Sequence, residues 1–441
     1  MERTPTFTSL IILVMLSVQL FGGIKVLWQK AVGGFRNDVA YSIYQTRDGG
    51  YIVAGWTESR DKNISGYHGD KDFWIVKLDK NGNIQWQRAL GGTKEDEARS
   101  IQQTSDGGYI VAGWTFSNDG NVSGNHGGSD FWIIKLDRSG NIQWQKTLGG
   151  SENDYAYSIQ QTSDGGYIVV GYTTSNDEDV SGNHGERSFW GWWPEDAWIV
   201  KLDSKGNIQW QRSLGGSDDD AAYSVQQTSD GGYIVAGCTS SNDGDVNVLE
   251  KHLKADIWII KLDKKGNLQW QRILGGSSDE CPNAILQTQD GGYVIAGHTF
   301  SKDGDVYGFH KGVFSGDAWI VKLDKRGNTQ WQKTLGGFDS DEAYSVLQTP
   351  DGGYIIAGYT CSSNGDVSEN HGGDDFWIVK LNKNERIEWQ KTLGGSDDEE
   401  AYSIQRTTDG GYVVAGYTES NDYDVSGNHG LKDFWIVKFK Y

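Results

Sequence analysis

Hydrophobic and polar residues alternate along short segments of this chain, and Gly-containing turns separate the segments. In residues 98–148, ARSIQQT precedes the turn SDGG and then YIVAGWT; after a polar stretch, FWIIKLD precedes RSGN and IQWQKTL. Alternation with period two predicts β-strands, and short Gly-containing turns between such segments predict β-hairpins. The pattern therefore predicts two hairpins, whose four strands we label A, B, C and D.

The same pattern recurs seven times at intervals of 58 to 66 residues, which indicates one array rather than several unrelated domains. With 61 Gly, 12% aromatic residues and four Pro, the composition suits a turn-rich all-β chain. Three anchors mark each repeat: WQ[KR] at Trp28, Trp86, Trp144, Trp210, Trp270, Trp331 and Trp389; DGGY at Asp48, Asp106, Asp164, Asp230, Asp290, Asp351 and Asp409; WI[VI]K at Trp74, Trp132, Trp198, Trp258, Trp319, Trp377 and Trp435.

We predict an all-β, seven-bladed β-propeller of four-stranded antiparallel blades over residues 24–441. The array begins with a lone D strand (24–31) and ends with A, B and C (401–439). The two termini should therefore share the seventh blade, a three-plus-one closure that removes exposed sheet edges. The repeated Trp residues are expected to fill the seams between blades. The Gly of YIVAG, as in Gly55, Gly113 and Gly171, is expected to permit close backbone approach.

The ordered pattern GG, D-x-A-x-S, DGGYIVAG, FWIVKLD, GNIQW resembles that of secreted prokaryotic β-propeller repeat proteins, over nearly all of residues 24–441. The strand order also resembles a WD40 blade. LDxxGNIQW is similar to the tryptophan-docking stretch of quinoprotein repeats, although its Thr is missing here. The resemblance implies a propeller with a binding or scaffolding role and carries over no catalytic residue.

Residues 1–23 differ from the repeats, because Arg3 precedes an apolar run from Leu10 to Leu16 that fades by Gly22. This order predicts a signal peptide and a secreted or cell-surface protein. The run is short for a bilayer, so we expect no membrane span in the mature chain. An uncleaved N-terminal anchor is the alternative.

A net charge of -20 at pH 7, with no basic stripe, argues against nucleic-acid partners and anionic membranes. Cys238, Cys281 and Cys361 lie in different repeats without CxxC spacing, so the sequence predicts neither a disulfide framework nor a structural zinc site. We expect a monomer.

The D-to-A and B-to-C loops should emerge on one face of the ring, and the short hairpin turns on the other. On this loop-rich face the residue that opens strand A is always acidic. One interpretation makes these residues a negatively charged funnel for a ligand, and the other makes them backbone caps at a repeated turn. They are Asp38, Asp96, Asp154, Asp220, Glu280, Asp341 and Glu399.

The B-to-C loops carry alternating oxygen-bearing side chains and Gly, a pattern suited to Ca²⁺. Departures from the full calcium-loop pattern leave solvated Asx and ST turns as the alternative. The candidate ligands are Asp61, Asn63, Ser65, Asp72; Asp119, Asn121, Ser123, Asp130; Asp177, Asp179, Ser181, Asp196; and Asp422, Asp424, Ser426, Asp433.

The same loops contain one His per repeat: His68, His126, His184, His252, His310, His371 and His429. One His per blade favours a loop-anchoring hydrogen bond over metal binding. The third repeat also carries an aromatic insertion, with Trp190, Trp192 and Trp193. These Trp residues are candidates for stacking on sugars or holding a partner protein; a satellite core is the alternative.

No G-x-S-x-G, P-loop or HExxH motif occurs, so the sequence favours a binding protein over an enzyme. We expect a glycan- or protein-binding module that acts through its acidic, loop-rich face, with calcium ordering its loops. A polysaccharide-active glycosidase or lyase that uses two carboxylates is one alternative. A purely structural surface protein is the other.

Overall fold

A computed structural model describes residues 24–61, 64–185, 193–246, 254–310, 312 and 315–441. Every regular element within these residues is a β-strand, 28 in all. The signal-peptide prediction for residues 1–23 lies outside the described residues.

The strands are grouped here by blade, in the order A to D. Blade 1 holds β2 (Asp38–Gln45), β3 (Tyr51–Thr57), β4 (Asp72–Leu78) and β5 (Ile84–Leu90). Blade 2 holds β6 (Asp96–Gln103), β7 (Tyr109–Thr115), β8 (Asp130–Leu136) and β9 (Ile142–Leu148). Blade 3 holds β10 (Asp154–Gln161), β11 (Tyr167–Thr173), β12 (Asp196–Leu202) and β13 (Ile208–Leu214). Blade 4 holds β14 (Asp220–Gln227), β15 (Tyr233–Thr239), β16 (Asp256–Leu262) and β17 (Leu268–Leu274).

Blade 5 holds β18 (Glu280–Gln287), β19 (Tyr293–Thr299), β20 (Asp317–Leu323) and β21 (Thr329–Leu335). Blade 6 holds β22 (Asp341–Gln348), β23 (Tyr354–Thr360), β24 (Asp375–Leu381) and β25 (Ile387–Leu393). Blade 7 holds β26 (Glu399–Arg406), β27 (Tyr412–Thr418), β28 (Asp433–Lys440) and, as its D strand, β1 (Lys25–Val32).

The chain is a seven-bladed β-propeller, as predicted. Each blade is an antiparallel sheet in chain order, and the seventh has the order β1-β28-β27-β26. The N-terminal strand pairs with the C-terminal strand from Lys25↔Lys440 to Val32↔Phe434, which confirms the three-plus-one closure. The A strands of neighbouring blades contact one another around the whole ring and are therefore innermost.

The hydrophobic core is divided into seven layers, each made by two adjacent blades. The tryptophans fill these layers, as predicted. Trp132 of β8 is fully buried and packs on Phe73 of blade 1, with ring centroids 4.5 Å apart. On the D strands, Trp144 of blade 2 meets Tyr167 of blade 3 edge to face at 5.8 Å. Each blade therefore depends on its neighbours for a dry interface.

A Gly in every B strand sits against the backbone of the A strand. A Cβ added at Gly113 would lie 1.8 Å from the carbonyl oxygen of Glu97, so no side chain fits there. Directly opposite, the pairing register shifts between Ala98 and Ser100, and the equivalent shift occurs in all seven A strands. The predicted close approach is confirmed, and it accompanies a β-bulge.

One cysteine prediction is wrong. Cys238 of β15 and Cys281 of β18 form a disulfide that joins blades 4 and 5, with Cα atoms 5.5 Å apart. Strand B of one blade lies beside strand A of the next, which brings the two residues together. Their separation of 43 residues carries no local motif, so the pairing depends on the fold. Cys361 is free.

Candidate functional site

The seven predicted acidic residues that open the A strands are buried, with at most 1% of their surface exposed. Asp96 is representative: it accepts hydrogen bonds from Gly92 N–H (2.8 Å), the Ser117 hydroxyl (2.9 Å) and the Thr115 hydroxyl. These partners lie in the D-to-A loop and at the end of strand B. The residues therefore occupy cap positions at the turn, and a ligand on the surface would not touch them.

A second buried carboxylate, the first residue of each C strand, faces each cap. Asp130 accepts hydrogen bonds from His126 N–H (3.1 Å) and pairs with His126 Nδ1 (2.6 Å) through one oxygen. A Cβ added at Gly149 would lie 2.8 Å from the other Asp130 oxygen and 2.4 Å from Asp154 Oδ2. At six of the seven GG pairs, the first Gly thus lets two carboxylates from neighbouring blades approach one backbone.

The loop-anchoring role predicted for the histidines is observed at six of the seven. In each of these, Nδ1 lies 2.6 to 3.0 Å from the Asp that opens strand C. These histidines are His68, His126, His184, His310, His371 and His429; His252 lies outside the described residues.

The candidate calcium ligands bind separate protein partners. In blade 2, Asp119 accepts from Thr93 N–H (2.7 Å), Asn121 from Gly91 N–H (3.2 Å), and Ser123 Oγ from Gln145 (2.6 Å). Eight candidates of the other sets have equivalent partners: Asp61, Asp177 and Asp422 accept from the D-to-A loops, Ser181 and Ser426 from Gln side chains, and Asp72, Asp196 and Asp433 from His.

Within the described residues, no group of three or more His, Cys, Asp or Glu side chains is placed to hold a metal ion. Asn63 lies outside them. The loop oxygens of blade 2 therefore have different hydrogen-bond partners, and calcium binding by these loops stays a prediction.

The aromatic insertion of blade 3 lies only partly within the described residues. Trp190 and Trp192 lie outside the described residues, whereas Trp193 is partly exposed just before strand β12. The candidate role of these tryptophans stays a prediction.

A site that the sequence analysis missed lies at the centre of the ring. The bulge in each A strand leaves one residue without a ladder partner, and these seven residues form what we call the axial belt. All are partly exposed. β-Bulges re-aim side chains and are frequent beside functional sites. The belt consists of Tyr41, Arg99, Tyr157, Tyr223, Asn283, Tyr344 and Tyr402.

Belt residues contact one another from blade to blade. The Arg99 guanidinium lies 3.8 Å from the ring centroid of Tyr41 and 5.7 Å from that of Tyr157. The ring pairs Tyr41–Tyr402 and Tyr344–Tyr402 are 4.8 and 4.7 Å apart. The belt is therefore a nearly continuous aromatic surface interrupted by one guanidinium and one amide.

Carboxylates flank the belt on the side of blades 5 to 7. The Tyr344 hydroxyl lies 3.2 Å from both Glu342 and Glu400. Glu342 also pairs with His298 Nδ1 (2.8 Å), and this contact holds the pKa of Glu342 below its usual value despite burial. Glu400 accepts from the Tyr402 hydroxyl (2.8 Å), and burial raises its pKa. Two adjacent carboxylates thus differ in proton affinity.

The opposite side of the belt is basic and aromatic. Arg99 lies 4.4 Å from the ring centroid of Trp114 and donates to Glu97 (3.1 Å). Lys71 also donates to Glu97 (2.8 Å) and covers Trp56. The combination of aromatic faces with fixed charges is typical of a site for a polar organic ligand.

The signal for this site was present in the sequence. Its residues occupy both variable positions of D-x-A-x-S, together with the residue after the Gly of YIVAG. The residue types at these positions vary from repeat to repeat more than those at the neighbouring positions. The disulfide Cys238–Cys281 occupies two of them. The fold gathers the departures from sevenfold symmetry at one end of the axis.

Comparison with known proteins gives little about function. No protein-family profile matches the chain. It is 22% identical over 388 residues to the regulatory protein FlaEY of Caulobacter vibrioides, covering 81% of this chain and 39% of that protein. The chain thus spans about two fifths of the length of that curated relative.

Solved structures with a similar fold include the WD40 domain of Neurospora crassa Pan2, at 11% identity and a TM-score of 0.49, covering 93% of this chain and 95% of that one. A protein of unknown function from Bacteroides caccae is 12% identical with a TM-score of 0.40, covering 78% and 94%. In the described part of the chain, no helix is long and apolar enough to cross a membrane.

The buried caps make stability depend on pH. Burial raises the pKa of Asp38 and Asp154 to about 7 and that of Asp96, Asp220 and Asp341 to about 6. The pKa of each cap is higher in the folded protein than in the unfolded chain. The caps therefore contribute their full stability below about pH 4, and this contribution is lost as pH rises through 6 to 7. We predict a higher melting temperature at pH 5 than at pH 8, measured by calorimetry. Asp154→Asn should reduce the difference; a melting temperature that rises toward pH 8 would contradict this account.

The loop geometry also predicts the response to calcium. Because Asp119, Ser123 and Asp130 already have protein partners, thermal unfolding in excess calcium and in EGTA should give coincident curves. A clear loss of stability in EGTA that disappears in Asp119→Asn would instead show that calcium rearranges these loops.

Proposed function

We propose that the protein is a secreted or cell-surface binding protein that holds a glycan against the axial belt. The observation that carries this proposal is a ring of tyrosines broken by charged and polar residues that differ from blade to blade. Five of the seven belt residues are Tyr, and Arg99, Asn283, Glu342 and Glu400 depart from the repeat beside them. A specific ligand requires such different chemical groups on different sides.

The belt chemistry favours a carbohydrate. Tyr rings offer flat apolar faces with a hydroxyl at the edge, so they can stack on a sugar ring and hydrogen-bond to it. Arg99 and Glu400 supply a donor and an acceptor on different blades, which would fix the orientation of a polyhydroxylated ligand. The negative charge of the chain would favour neutral or cationic glycans over acidic ones.

A second candidate function, cleavage of the glycan, is favoured by one observation. Glu342 and Glu400 share the Tyr344 hydroxyl, and their pKa values are shifted in opposite directions. Pairs of carboxylates with separated pKa values serve as acid and base in glycoside hydrolysis.

The disulfide supports the proposed location. Disulfides persist in oxidising compartments and are rare in the cytosol, and Cys238–Cys281 joins two blades near the axis. We predict that the protein expressed in its native host is recovered outside the cytoplasm with its first residues removed near position 23, as read by N-terminal mass spectrometry. Intact Met1 in a cytosolic fraction would contradict the secretion proposal.

The binding proposal predicts that neutral oligosaccharides from a glycan panel bind with one site per chain in calorimetric titrations. Arg99→Met and Tyr157→Leu should each weaken binding about tenfold or more, because each removes a belt contact. Arg138→Met, an exposed arginine on the hairpin face, is the matched control and should bind like the wild type.

The same titrations separate the alternatives. Intact oligosaccharide after incubation supports binding alone, whereas product that disappears in Glu342→Gln and Glu400→Gln would favour cleavage. If the panel yields no ligand, or if Arg99→Met and Tyr157→Leu bind normally while folded, the axial proposal is wrong.

A further inference from the structure

Three aromatic rings at the ends of B strands are covered by cations of the chain itself. Lys71 Nζ lies 4.6 Å from the ring centroid of Trp56, and Lys432 Nζ lies 3.9 Å from that of Tyr417. In blade 2 the Arg99 guanidinium covers the equivalent Trp114. Such cation–π contacts stabilise an ammonium or guanidinium group that has lost part of its water.

These cations also have carboxylate partners. Lys71 and Arg99 share Glu97, at 2.8 and 3.1 Å, and Lys432 lies 3.2 Å from Glu419. The arrangement of aromatic ring, cation and carboxylate therefore recurs in blades 1, 2 and 7, and it shows what this part of the fold accommodates.

Among the described residues, blade 3 has the ring and the carboxylate without a covering cation. Its equivalent ring is Tyr172, which no described Lys or Arg covers. The residue immediately before strand C, which is Lys71 in blade 1 and Lys432 in blade 7, is Glu195 in blade 3. An acidic side chain thus stands where two other blades place a lysine.

Four tyrosines surround this position, and together with Glu195 we call them the blade-3 cage. Tyr172 lies 5.0 Å from Tyr155 and 6.0 Å from Tyr157, and Tyr157 meets Tyr223 edge to face at 5.0 Å. All five residues are partly exposed, so a ligand on the loop-rich face can reach them.

The backbone places Glu195 beside the cage. Tyr172 pairs with Ala197 in strand β12, two residues after Glu195, and Asp220 N–H donates to the Glu195 carbonyl (2.7 Å) at the start of strand β14. Burial, followed by repulsion from Asp219, raises the pKa of Glu195 to about 7. A positive charge in the cage would stabilise its ionised carboxylate.

We propose that the blade-3 cage binds the ammonium group of an amino sugar, with Glu195 as counter-ion and Tyr172 as the covering ring. This rests on the proposed function, because the cage adjoins the axial belt through Tyr157 and Tyr223 and would read one sugar of the same glycan. It assigns the glycan a class: one that contains free, non-acetylated amino groups.

The test compares two ligands that differ only in that group: the tetramer of β-1,4-linked glucosamine and its fully N-acetylated counterpart. In calorimetric titrations near neutral pH and at low salt, the wild type should bind the amine form about tenfold more tightly. Glu195→Gln should abolish this preference. Glu178→Gln, which removes one exposed charge from the same face of blade 3, should preserve it. Tyr172→Phe should retain the preference and Tyr172→Leu should lose it, since only Phe keeps the ring.

Equal affinity for the two tetramers, a preference that survives Glu195→Gln, or no binding of the amine form would each overturn the inference. These outcomes leave the proposed function open to its own test. If the N-acetylated tetramer or another neutral glycan binds and Arg99→Met abolishes that binding, the axial site stands and only the cage is ruled out.

Discussion

Every blade of this protein has two apolar faces and can cover neither by itself, and this constraint governs the rest of the structure. A single four-stranded sheet would leave both faces in water, so each blade packs between two others and the core is divided into seven shared layers. The ring satisfies the constraint completely only when it closes. The pairing of β1 with β28 is therefore required for the layer between blades 7 and 1 as well as for the edge that it covers.

Packing brings charged groups together that solvent would otherwise separate. At six of the seven junctions the Asp that opens a C strand and the acid that opens the next A strand approach the same Gly, so two carboxyl groups are buried next to one another. Backbone amides, hydroxyls and a histidine offset much of this cost, and protonation offsets the rest. Hydrogen bonds at the same junctions tie the D-to-A loops to the ends of the B strands, next to the axial belt.

The sequence was sufficient to predict the fold because local and global signals agree: period-two strands, Gly turns and three anchors that each recur seven times all indicate the same blade. It could not show that Asp96 is buried or that Asp119 and Ser123 diverge, because those facts depend on which neighbouring loop supplies the hydrogen-bond partner. The Cys238–Cys281 bridge depends likewise on the contact between strands B and A of adjacent blades. The sequence analysis selected the recurring acids that open the A strands as ligand-binding candidates, whereas the variable positions of D-x-A-x-S carry the candidate site.

The central claim is that the repeated anchors build the ring and that the belt residues and their flanking carboxylates at its axis bind the ligand. A crystal structure of the protein with the glycan that binds best tests this most directly. The account predicts sugar density against the axial belt, with a ring stacked on Tyr157 or Tyr344 and hydroxyl contacts to Arg99 or Glu400. Density confined to the outer seams, repeated from blade to blade and absent from the axis, would contradict it.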